Sequence, residues 1–166
     1  KTVLARPEVM LGLFPGGGGV TRLPRLVGLR EALDMILTGR NIRPRAAKRM
    51  GLVDQVVAEE ALLPAARAAA GKLAAGKLQP RLHPRGDVVR TLLEKHPLGR
   101  SVVFRQARKT IEKKTFGLYP APLVALDLIE KGLGLPLDEA LKLEPPAFAE
   151  LAVGETSRSL VSLFRR

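Results

Sequence analysis

The chain has 166 residues, 46% of them hydrophobic and 27% charged, a globular rather than a disordered composition. It contains no cysteine, which excludes a disulfide scaffold and a thiolate metal site, and no apolar run reaches the length of a membrane span. The formal charge of +12 raises a nucleic-acid role, yet the most basic stretch, residues 81–114, interleaves only Phe104 among its lysines and arginines.

Residues 2–4 and 9–11 read as short extended pieces on either side of a break at Pro7. Four consecutive glycines follow, Gly16 to Gly19. Such a run is costly to order, because glycine loses more backbone freedom on folding than any other residue. The ordinary reading is a tight turn. The other is that the N–H groups, standing just before a helix, face an anion, a carbonyl oxygen or a water. The run lacks P-loop spacing.

Helices are expected over 19–27, interrupted at Pro24, and then over "LREALDMILTG". There Leu29, Ala32, Leu33, Ile36 and Leu37 fall at helical spacing and Gly39 marks the stop. A short helix starts near Pro44 and ends at Gly51, and "VDQVV" (53–57) reads as a strand. From Glu59 the pattern is helical, with an alanine-rich segment that takes Pro64 in its first turn. Residues 77–87 look like a linker. A helix over 99–114 turns Val103, Phe104, Ala107 and Ile111 inward, while Arg105, Lys109 and Lys113 form a basic face at i, i+4, i+8. "GLYPAP" breaks it, and helices follow at about 121–131, 137–142, 146–152 and 155–164.

Glu8 stands directly after Pro7 beside a run of Val, Met and Leu. A carboxylate held against apolar surface suits general-acid work at neutral pH, although the spacing alone also fits a surface glutamate beside a turn. His83 and His96 each lie next to a proline and read as loop residues. No Ser-His-Asp order, HExxH pattern or metal-ligand cluster is present.

Three stretches, "PEVMLGLFPGGGGVTRLPRLVG", "ALDMILTG" and "AAKRMGLVDQVV", together resemble the enoyl-CoA hydratase/isomerase (crotonase) family from its mid-domain strand onward. "KTFGLYPAP" and "FAELAVGETSRSLVSLF" are similar to the segment that follows the hydratase domain in multifunctional fatty-acid β-oxidation α subunits. Residues 59–98 match least distinctly. Where relatives commonly read "GGTQRLPR" and "FGELA", this chain has "GGVTRLPR" and "FAELA", neither of which touches the assigned chemistry.

The resemblance implies an α/β fold tending to mostly α. Residues 1–76 would be the C-terminal half of a crotonase (ClpP/crotonase-like) domain. Residues 77–166 would be a helical linker segment leading toward an NAD-binding dehydrogenase domain. It implies an acyl-CoA thioester substrate, an oxyanion hole of two backbone N–H groups, and two glutamates that hold a water and move protons across the Cα–Cβ double bond. The second glutamate falls on Glu8. Gly16 matches the position whose backbone faces the active-site water, and Arg105, Lys109 and Lys113 are candidates for the phosphates of coenzyme A.

"KTVLARPEV" reads like the interior of a longer protein. The oxyanion donors and first glutamate would precede Lys1, and the NAD site would follow Arg166, since no GxGxxG occurs here. The chain alone is then expected to be inactive. The parent would hydrate trans-2-enoyl-CoA with accompanying isomerase and 3-hydroxyacyl-CoA dehydrogenase activities. It would have a thiolase β subunit as partner, in the bacterial cytoplasm or, alternatively, the mitochondrion. The rival readings are a stand-alone crotonase acting on another acyl-CoA and a basic nucleic-acid-binding module.

Overall fold

A computed structural model describes residues 2–79 and 96–165. His83 and most of the expected linker lie outside the described residues. Proline at the start of a helical turn gives up an N–H that would have no partner there. Accordingly Pro7 opens a 3-10 turn over Pro7–Leu11, which ends at Gly12 with φ +71°. Residues 9–11 are thus helical rather than extended. Among the described residues extended pairing is confined to one antiparallel bridge between Leu4 and Ile42, closed by N–H···O contacts of 3.0 and 2.7 Å.

The helices α1 (Gly19–Val27), α2 (Leu29–Thr38) and α3 (Pro44–Met50) follow in the expected places, with Gly39 and Gly51 at the ends of the latter two. Pro24 sits inside α1 without ending it. The expected strand at 53–57 does not form. Val53, Val56 and Val57 supply apolar side chains, but a strand also needs a neighbour for its N–H and C=O groups. None is offered among the described residues, and Val56 and Val57 remain partly exposed.

A 3-10 turn at Glu59–Ala61 leads into α4 (Leu62–Ala74), which buries none of its residues. Beyond the undescribed stretch come α5 (Pro97–Thr115), α6 (Pro120–Gly132), α7 (Leu137–Leu141), α8 (Glu144–Val153) and α9 (Glu155–Phe164). The α/β expectation therefore resolves to a mostly helical chain, with no strand among the described residues.

One hydrophobic cluster joins the two ends of the chain. Phe14, Val20, Leu23, Ala32 and Ile36 meet Phe104, Ala125, Leu126, Ile129 and Leu151 in it. On α6 the buried residues Ala121, Ala125 and Ile129 repeat every four positions, so a single stripe faces inward. Two of the three are alanine, which lets α6 lie close against α1 and α2. On the other side α6 packs on α5, where Phe104 and Ile111 are buried and Arg108 reaches across to Asp127 and Glu130.

Candidate active site

The glycine run becomes intelligible once its neighbours are known. Gly18 takes φ +94°, a conformation that L side chains rarely adopt, and a Cβ there would fall 1.7 Å from Nη1 of Arg22. That guanidinium donates to the Gly17 carbonyl at 2.8 Å. Gly16 lies beneath the Phe148 ring, with 3.0 Å between a built Cβ and Cδ2. Phe148 also meets Phe14 edge-on, with ring centroids 5.5 Å apart. A side chain at Gly16 or Gly18 would have to displace Phe148 or Arg22.

The anion that the glycine N–H groups face belongs to the chain itself. Helix α1 has no side-chain cap of its own, and its first N–H groups need acceptors. The Gly18 N–H donates to Glu144 Oε2 at 2.6 Å and the Thr21 N–H to Oε1 at 3.0 Å. Glu144, at the start of α8, is 3% exposed, so a buried carboxylate and a helix N-terminus satisfy one another.

Glu8 sits in the 3-10 turn. Its Oε1 is 4.0 Å from Arg6 Nη1, while Oε2 is buried and has no hydrogen-bond partner among the described residues. Arg6 connects this carboxylate to an open cleft of about 590 Å³, which residues 16–19, Leu23, Leu26 and Leu52 also line. Glu8 itself does not line the cleft.

The turn is held from a distance. Tyr119, in the break between α5 and α6, donates its hydroxyl to the Val9 carbonyl and accepts from the Gly12 N–H at 3.1 Å. Burial of the phenol pushes its pKa above the usual tyrosine value, with the Gly12 hydrogen bond acting in the opposite sense. A raised phenol pKa means that the neutral form is favoured in the fold. This contribution to stability is intact below about pH 10 and lost as pH rises through the raised value.

Arg105, Lys109 and Lys113 are exposed on α5, and none lines the cleft. His96 caps α5 by accepting from the Leu98 N–H at 3.3 Å, as a loop residue at a helix start.

Residues 1–85 match the family model for enoyl-CoA hydratase/isomerase, just over half of the chain. The chain belongs to the enoyl-CoA hydratase/isomerase family. Its relatives include the fatty acid oxidation complex subunit alpha of Shewanella baltica (strain OS185) and of Shewanella putrefaciens (strain CN-32 / ATCC BAA-453). Each is 47% identical over 164 residues, covering 99% of this chain. The corresponding subunit of Shewanella loihica (strain ATCC BAA-1088 / PV-4) is 44% identical over the same length. The chain spans 23% of the length of each of these relatives.

Two residues of this enoyl-CoA hydratase/isomerase chain escaped the sequence reading, Tyr119 and Glu144. Each acts over more than a hundred positions of sequence. For Glu144 one signal was available: a helix that opens within a run of four glycines carries no Ser, Thr, Asp or Asn cap and so calls for an acceptor from elsewhere.

Proposed function

We propose that the chain is the part of a multifunctional fatty-acid β-oxidation enzyme that supplies the second carboxylate and the glycine turn of its hydratase centre. In this reading residues 1–76 are the C-terminal half of the crotonase domain and residues 77–166 the segment leading toward the dehydrogenase. Support comes from similarity to oxidation-complex α subunits across 99% of the chain. The observation that carries the site is Glu8 Oε2, a buried carboxylate oxygen that no group among the described residues satisfies. Such groups are uncommon in folded proteins, and a catalytic role is one recognised explanation for them.

The substrate is a trans-2-enoyl-CoA. Water adds across the double bond, its hydroxyl to Cβ and a proton to Cα, and Glu8 is the general acid that delivers that proton. The first glutamate of the family's pair, to which no residue of this chain is assigned, takes the proton from the attacking water. Gly16 and its neighbours give the cleft, which Glu8 adjoins through Arg6 rather than lines, a wall of backbone that the thioester and water can approach closely. The exposed face of Arg105, Lys109 and Lys113 is offered to the phosphates of coenzyme A. NAD belongs to the dehydrogenase step of the same parent. The 166 residues contain no GxGxxG, so no part of that step is assigned to them. A thiolase subunit is the partner this reading implies, in the bacterial cytoplasm. Among the described residues no helix is long and apolar enough to cross a membrane.

The test is hydration of a short trans-2-enoyl-CoA by the intact enzyme that carries this chain, followed as loss of enoyl absorbance. Turnover is expected. No hydration, together with salt-dependent retention on DNA, would replace this reading with the nucleic-acid module.

A further inference from the structure

The turn that carries Glu8 is short, and its own sequence does little to hold it. It has no side-chain cap, and it ends at a glycine with φ +71°. The Gly12 N–H is shared between the Val9 carbonyl and Tyr119 Oη, each at 3.1 Å, and the Tyr119 hydroxyl donates back to the same carbonyl. A single phenol oxygen thus ties both ends of the segment 9–12. The neighbouring bond, Leu13 N–H to the Glu8 carbonyl at 3.1 Å, closes the turn directly on Glu8. Helix α9 presses on the same place, where a Cβ on Gly12 would lie 3.1 Å from the Ser157 Cα. The carboxylate turn is therefore gripped from the far end of the chain.

From this geometry we infer that Tyr119 is a positioning residue for the hydration reaction, acting through Val9 and Gly12 to fix the direction of the Glu8 carboxylate. The inference rests on the reading of Glu8 given above. Tyr119 does not touch substrate. Its hydroxyl decides whether the turn has one orientation or several, and proton delivery is sensitive to that. A displacement of about 1 Å at a reacting group can cost on the order of a hundredfold in rate.

The experiment compares Tyr119→Phe, Glu8→Gln and the double variant in the intact enzyme. It measures kcat and KM on a short trans-2-enoyl-CoA. Each preparation is normalised by stoichiometric titration with a non-reactive acyl-CoA, so that unfolded molecules are not counted. Tyr119→Phe is expected to lower kcat by about ten- to a hundredfold with KM within twofold, since only orientation is lost. Adding it to Glu8→Gln should change kcat by less than twofold, because no carboxylic acid remains to be aimed. A kcat for Tyr119→Phe within twofold of the parent, or an equal loss in both backgrounds, overturns the assignment. A normal kcat for Glu8→Gln would instead overturn the reading of Glu8, and the inference with it.

Discussion

Glu144 is where one side chain decides most about local structure. Its two oxygens accept from Gly18 and Thr21, and the site is closed to water. Replacing it by alanine leaves two N–H groups without a partner, and each such group costs about 1–3 kcal/mol. Glu144→Ala should therefore destabilise the fold by about 2–6 kcal/mol in denaturant or thermal unfolding. Glu144→Gln, which keeps one acceptor, should lose less. A change below about 0.5 kcal/mol for Glu144→Ala would mean that water replaces the carboxylate. The glycines that Glu144 serves stand out in the sequence because four in a row require an explanation. Glu144 does not, since among the acidic residues of the tail nothing local separates a buried cap from a solvated charge.

At the level of elements, helices were legible and extended segments were not. The spacing of Leu29, Ala32, Leu33 and Ile36 places α2 correctly because a helix closes its hydrogen bonds within itself. Residues 53–57 are apolar at 53, 56 and 57 and rich in β-branched valine, yet a strand depends on a partner that such composition does not specify. Helix α4 makes the same point about stability. Its alanines favour a helix, but none of its residues is buried, whereas α6 buries Ala121, Ala125, Leu126 and Ile129. Amide hydrogens of α4 should accordingly exchange with solvent far sooner than those of α6, because few contacts oppose local opening there. Hydrogen exchange followed by mass spectrometry on the peptides 62–74 and 120–132 reads this directly. Equal protection of the two would show that α4 is held by contacts other than those of the described core.

Across the whole molecule, the distant parts of the chain act on one small region. Tyr119 ties the Glu8 turn, Glu144 caps α1, Phe148 covers Gly16, and Arg25 donates to the Gly132 and Leu135 carbonyls at 2.7 and 3.0 Å. The family was readable from motifs lying within residues 7–57, and the similarity of the tail from "GLYPAP" onward. That the tail supports the carboxylate turn was not readable, because it depends on contacts between residues far apart in sequence. Whether Glu8 is the proton donor of a hydratase centre is read most directly from kcat and KM for Glu8→Gln on a short trans-2-enoyl-CoA in the intact enzyme. Glutamine keeps the shape and the hydrogen bonding but has no proton to deliver. If Glu8 delivers the proton, kcat falls by about a hundred- to ten-thousandfold while KM changes little. A kcat within a few-fold of the parent would contradict it and leave Glu8 as a residue of the turn alone.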